Sequence, residues 1–472
     1  MGCFIAASRP AASDTRLGNM PISSLSRGWR ATFSLFLSRT PLAHRQPFCM
    51  APYGTHNKLS HLPLELIDYI IVSLDDDKDE RSALPTLKAC SLTCRMLNDI
   101  CRPHIFRDFT IDLSMTIYKI AFLHFNAPHL FEYITNLTII VWGADVQDTP
   151  AWILDALHQF VNLRSLTITN TMRDGPSPPS MSAIMSLIAK APLRTLVLER
   201  WDFSGDASSL LHILALCSST LEELSLAWCY IHTPETFPKP VNAELPPVIR
   251  LVALRRIRLS RSDLPASQLN RLEIPNLDFL SWAYVRYPLA DIQWIPASLS
   301  TVALSVTPDS DLPRLSRFIR PSCLTMTVRQ SDGESLYLPA MTWISRYLAC
   351  LPFPHELRQL NINIEGRVSI IDGPRYPTRT DYQELYCALQ SLYRDGALER
   401  INLTHRLTSL TRTVLHDIPD EAPVLNEVFR PLLGARPLVI DITLEQWVRP
   451  EFMPVAVFQH RLQCSSGTAD YT

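Results

Sequence analysis

A six-residue pattern, apolar at its first, fourth and sixth positions, returns along most of this 472-residue chain. It reads LRSLTI from Leu163, LRTLVL from Leu193, LEELSL from Leu221, LRRIRL from Leu254, LDFLSW from Leu277, LSTVAL from Leu299, LRQLNI from Leu357 and LERINL from Leu398. ITNLTI from Ile134 is an earlier copy; PSCLTM near Pro321 and PLVIDI near Pro437 are weaker ones. Alternation between positions 4 and 6 is the signature of a strand with one buried face. Copies from Ile134 to Leu299 start 29, 30, 28, 33, 23 and 22 residues apart. A unit of that length cannot bury its own apolar face, so it must stack on its neighbours.

The range of periods brackets that of leucine-rich repeats, in which a short strand alternates with a helix or turn. The copy from Leu221 continues to Cys229, and Leu221, Leu224, Leu226 and Cys229 match the fuller repeat pattern. Helix-like stretches such as SAIMSLIAKAP and PAWILDALHQFV lie between copies. Positions 4 and 6 are expected inside and positions 3, 5 and 7 outside, on a concave strip. Among the outward residues, Glu199, Arg256, Arg258 and Phe279 are the candidates for contact with a partner, and Arg256 with Arg258 forms a basic ridge. Trp201, Trp228, Trp282 and Tyr284 fall at or just past the strands and read as partly buried packing residues, with binding anchors as the other reading. After Leu299 the spacing loosens, and RQSDGES and EGRVSIIDGPRYPTRTD read as long loops.

Composition narrows the function classes. The formal net charge is −2, which gives no general attraction to nucleic acid or to an anionic membrane. Glycine is scarce, at 13 residues against 37 prolines. That disfavours phosphate-cradling loops and suits many short elements joined by turns. Eleven scattered cysteines do not make a disulfide framework, so a reducing compartment, cytoplasm or nucleus, is expected. No apolar run reaches the eighteen residues of a membrane span. Residues 1–50 hold six arginines, no lysine and one acid, Asp14. We read residues 1–57 as a disordered leader, with a transit peptide and a true start at Met50 as the other readings. No nucleophile elbow, phosphate loop or dinucleotide fingerprint is present, so no enzyme and no cofactor is expected. Cys90, Cys94, Cys101 and His104 lack the close cysteine pair of a structural zinc site.

Between leader and repeats the pattern changes to helical spacing. In HLPLELIDYIIVSL, from His61, Pro63 suits a first helical turn and Glu65 and Asp68 suit its positive end. Leu62, Leu66, Ile70 and Leu74 recur every four residues, with Ile67 and Ile71 beside them. The acidic run from Asp75 to Glu80 reads as a solvated loop. A second helical stretch starts at Pro85 and is broken by Pro103, with Leu87, Cys90, Cys94, Leu97 and Cys101 on one face. Two or three helices in fifty residues carry more apolar surface than so small a unit can hide.

The opening Leu-Pro-x-Glu-Leu and the later segment CSLTCR together resemble the F-box, in its fungal form, over residues 60–108. Leu97 stands where that family commonly has tryptophan. The resemblance implies docking onto a Skp-type adaptor and, through it, a cullin scaffold. It implies that Leu62 and Pro63 enter the adaptor groove, with Leu66, Ile67 and Ile70 beside them. Leu87, Cys90, Leu92, Cys94 and Leu97 would form the contact and core face of the second helix. The expected architecture is α/β: a leader (1–57), a helical F-box (58–110), an irregular leucine-rich-repeat-like solenoid (111–455) and a flexible tail (456–472). The expected function is substrate recognition for a cullin ubiquitin ligase, with an unidentified target protein on the repeats. A leucine-rich interaction scaffold with no ligase role is the alternative.

Overall fold

The structure, a computed structural model, describes residues 63–75, 80–112, 117–141, 156–170, 178–201, 203, 207–230, 248–264, 266–285, 292–293, 295–296, 299–307, 320–329, 338–351, 354–368, 379–409, 427–433, 438–448 and 453–463. The chain divides into two units, Met1–Leu66 and Ile67–Thr472. Of the first, only Pro63–Leu66 is described, as the start of a helix. The expected leader and Leu62 lie outside the described residues.

Three helices come first: α1 (Leu64–Asp75), α2 (Glu80–Ser91) and α3 (Arg95–Ile105). Two expectations need correction here. The second helical stretch is two helices, and neither proline bounds it. Pro85 lies in the second turn of α2 and Pro103 in the last turn of α3. The break falls at Leu92–Cys94, because local side chains bind the freed carbonyls. Ser91 Oγ donates to Lys88 O (2.7 Å), Thr93 Oγ1 to Cys90 O (2.8 Å) and Asn98 Nδ2 to Ser91 O (3.1 Å). Ile71, Leu87 and Cys101 form the small core of these helices, with Leu74, Cys90, Ile100 and Ile105 against it. Arg102, buried and paired with Asp99 at 3.6 Å, also bonds the Tyr133 side chain just before the second strand.

The remainder is a mixed α/β arrangement built on a large, mostly parallel sheet. Its strands are β1 (Asp108–Asp112), β2 (Asn136–Val141), β3 (Ser165–Asn170), β4 (Thr195–Glu199), β5 (Glu223–Ala227), β7 (Arg256–Ser260), β9 (Phe279–Ala283), β10 (Thr301–Val306), β11 (Cys323–Arg329), β12 (Gln359–Val368), β13 (Arg400–Ser409), β14 (Val439–Val448) and β15 (Met453–Gln463). They lie side by side in chain order. All neighbouring pairs are parallel except β14 and β15. Two-residue strands β6 (Ile249–Arg250) and β8 (Leu272–Glu273) pair separately. Each copy of the sequence pattern is a strand, in register with the next: Leu166 faces Leu196, which faces Leu224, which faces Ile257.

Burial follows the alternation. Positions 1, 4 and 6 are interior, as in Leu193, Leu196 and Leu198, while the described residues at positions 3, 5 and 7 are partly or fully exposed except for buried Ala283. Each interior leucine contributes about 1.5–3 kcal/mol. Helices α4 (Ile117–Asn126), α5 (Pro178–Lys190), α6 (Ala207–Leu216), α8 (Leu338–Ala349) and α9 (Arg379–Asp395) alternate with strands, and a single turn, α7 (Ala266–Leu269), precedes β8. Leu210, Leu211 and Leu214 of α6 meet Leu224 and Leu226 of β5 and Ile257 and Leu259 of β7 around a small apolar void. The expected helix PAWILDALHQFV lies largely outside the described residues.

Three further differences concern the carboxyl-terminal part. Residues 365–368, expected in a loop, extend β12, because pairing with β13 continues to Val368 opposite Ser409. Arg379–Asp381, at the end of that expected loop, opens α9. Residues 456–463, expected in a tail, belong to β15, whose partner ladder runs from Val448–Met453 to Val439–Gln463. None of the helices among the described residues is long and apolar enough to cross a membrane.

Candidate functional site

Two surfaces could carry an interaction. The first is on the helices. On α1, Ile67 and Ile71 turn inward, and the neighbouring row does not: Leu66 is 50% exposed, Tyr69 70% and Ile70 49%. Leu92, in the break after α2, is 57% exposed. Of the residues that the resemblance implicated, Pro63, Leu66, Ile70, Leu92 and Cys94 are exposed, Cys90 is half-buried, and Ile67, Leu87 and Leu97 are buried. The buried ones hold the helices together and are not available at the surface. Leu64, Tyr69, Val72, Leu84 and Met96 are exposed apolar residues that the sequence reading did not single out. A helical period shows a broad stripe but not which edge of it meets the core.

The second surface is the outward face of the sheet. Arg258 lies 3.2 Å from Glu223 and over the Phe279 ring at 5.8 Å, while Arg256 sits opposite Phe279 in register. These three sequence candidates come together; Glu199, two strands away on β4, accepts from Thr169 Oγ1 at 3.0 Å. Across β11–β13 the outward amides bond one another. Asn402 Nδ2 donates to Asn361 Oδ1 (2.6 Å), Asn361 Nδ2 to Thr325 Oγ1 (2.9 Å) and Asn363 Nδ2 to Thr327 Oγ1 (3.3 Å). One row further, Arg329, Glu365, Arg406 and Glu445 alternate in charge, at 2.7, 3.3 and 2.9 Å. That half of the face satisfies itself.

Past the ends of β4, β5, β7 and β9 the backbone does something the six-residue pattern does not announce. Arg200, Trp228, Arg261 and Tyr284, each at position 8 of its copy, have φ of 58°, 58°, 50° and 53°. The left-handed region costs a side-chain-bearing residue on the order of 1 kcal/mol or more. A repeated hydrogen bond holds each one there: their N–H groups donate to Ala227, Ser260, Ala283 and Ser305 carbonyls on the next strand, at 2.7–2.9 Å. The position-9 side chains then return inward. Trp201 Nε1 donates to Ile168 O (3.3 Å), Cys229 Sγ to Leu198 O (3.4 Å) and Ser262 Oγ to Leu226 O (3.1 Å). Each reaches the position-6 carbonyl of the strand before, and burial pushes the Cys229 thiol up to about 12.

Three of the position-8 side chains, together with Arg329, make a row of cation–ring contacts. The Arg261 guanidinium lies 4.2 Å from the Trp228 ring centroid and 5.3 Å from that of Tyr284, with Arg329 over Tyr284 at 5.8 Å. Trp201 and Trp282 are buried, as packing residues should be, but Trp228 is 39% exposed and Tyr284 half-buried. The sequence had already singled out Trp228 and Tyr284; reading each copy two residues further would have added Arg200 and Arg261. No family model matches the chain, and no curated protein is similar to it.

Proposed function

We propose that this chain is the substrate-recognition subunit of a cullin ubiquitin ligase of the Skp-adaptor type. In this reading the helices are an F-box, and the sheet is the strand layer of an irregular leucine-rich-repeat-like solenoid that binds a target protein. The supporting observation is the exposed apolar groups Leu66, Tyr69 and Ile70 on α1, and Leu92 in the break after α2, in a helical region whose own core is already filled. Exposed aliphatic and aromatic groups at this density favour burial against another polypeptide. The in-register parallel strands and their alternating helices support the second half of the reading. Joining an adaptor site and a target site in one chain raises the target's effective concentration at the transfer centre, without any catalytic group here.

Capture of a purified Skp-type adaptor tests it. The full chain is expected to retain adaptor; deletion of 58–108 and the pair Leu66→Asp with Ile70→Asp are expected to lose it. Because both side chains are half exposed, the pair should change folding stability by no more than about 0.5 kcal/mol each. If the full chain captures no adaptor, or the deleted chain still does, the ligase role is wrong and the interaction scaffold stands.

A further inference from the structure

The outward groups of β11–β14 pair with one another, but three cations at the other end of the sheet do not. The guanidinium groups of Arg200, Arg256 and Arg261 have no hydrogen-bond acceptor among the described residues, whereas those of Arg258 and Arg329 are matched by Glu223 and Glu365. Arg261 is the most constrained of the three. The rings of Trp228 and Tyr284, from the two neighbouring strands, lie 4.2 and 5.3 Å from its guanidinium carbon, its backbone is fixed in the left-handed region, and its backbone N–H binds Ala283 O at 2.7 Å. A guanidinium held against aromatic rings still presents its planar N–H fork, which matches a carboxylate. Ordering that side chain in advance lowers the entropy lost on binding. Glu199 beside Arg200, and Glu365 beside Arg329, bound the cation run at both ends, a setting that favours singly charged groups over doubly charged ones.

We propose that Arg261, clamped between Trp228 and Tyr284, anchors the carboxylate side chain of an acidic peptide segment on a partner protein. The exposed Trp228 ring offers the adjacent apolar contact. Arg200, two rungs along and about 10 Å away, offers a second acid its partner. This inference deepens the target-binding half of the reading above and rests on it; it does not require the adaptor.

The test uses the full chain and a short fluorescein-labelled peptide of alternating glutamate and glycine, read by fluorescence anisotropy. A glutamine version and a phosphoserine version are compared. The glutamate peptide is expected to bind at least about tenfold more tightly than the glutamine one. Arg261→Asn, whose side chain tolerates the left-handed backbone, and Arg261→Lys, which keeps charge but not the flat stack, are both expected to lose that preference. Arg406→Gln, in the self-paired half, is expected to keep it. Equal binding of the glutamate and glutamine peptides overturns the proposal, as does unchanged binding by both Arg261 variants. Tighter binding of the phosphoserine peptide overturns the carboxylate assignment. Adaptor capture is measured on the same preparations. Failed peptide preference with capture intact removes this inference alone, and the converse removes only the ligase role.

Discussion

At the scale of single residues, burial decides chemistry. His405 on β13 is buried, with Tyr382 Oη 3.4 Å from its Nε2 and the Tyr382 ring edge-on to it. Burial lowers its pKa from 6.5 to about 3, so the folded protein holds it neutral. The unfolded chain takes up that proton as pH falls through 6.5. The stability is therefore complete above that value and is lost towards pH 3, by up to about 1.4 kcal/mol per pH unit. Denaturant titrations between pH 7 and 5, above the range of ordinary carboxylates, are expected to show that slope. His405→Leu is expected to flatten it, and an unchanged slope would exclude His405 as its source. Nothing in the sequence around His405 marked it. The alternation places it inward, but only the packing of α9 shows which side chain meets it. The same limit applied at Leu66 and Ile67: adjacent apolar residues, one outward and one core, are indistinguishable until the neighbouring helices are placed.

At the scale of the element, the strand and its trailing turn are a single device. Six residues were legible because leucine alternation is dense, and all the copies read in the sequence proved to be strands. Positions 8 and 9 were legible only in part, because their roles are filled by unlike side chains. Position 9 is Trp201, Cys229 or Ser262, which share only a donor hydrogen. Ser262 also accepts the Cys229 N–H at 3.2 Å, so Ser262→Ala strands a buried donor and a carbonyl together. We expect that substitution to cost about 1–3 kcal/mol in chemical denaturation. Ser281→Ala, at an outward position of β9, should stay within about 0.5 kcal/mol. Equal effects at the two sites would mean that the inward ladder contributes nothing special. Strands β1 and β15 were missed for a different reason. Neither carries the leucine triplet, and each joins the sheet by pairing with a neighbour already in place.

For the molecule as a whole, each strand of the large sheet pairs with its neighbours in the strand order, so the sheet has two edges. Such an arrangement needs covered ends. Strand β15 covers β14 and adds buried Leu462 opposite Ile440, and the ten-residue ladder between β13 and β14 carries buried Ile440 and Ile442. Removing residues 437–472 uncovers the full length of β13. The shortened chain is expected to associate in sedimentation velocity runs while keeping most of its far-ultraviolet dichroism. A monodisperse monomer would show that β13 needs no cover. The repeat told where strands would fall and that they would stack, but not how the stack would stop.

It stops by reversing. Every other strand in the large sheet runs the same way, and β15 runs back, so that Gln463 ends opposite Val439. The polypeptide thus leaves the sheet at the margin where its strands begin, away from the margin where Trp228 and Arg261 stand. A fluorophore or affinity handle joined directly after Gln463 would start from the margin opposite the arginine clamp and leave that clamp open to whatever approaches it.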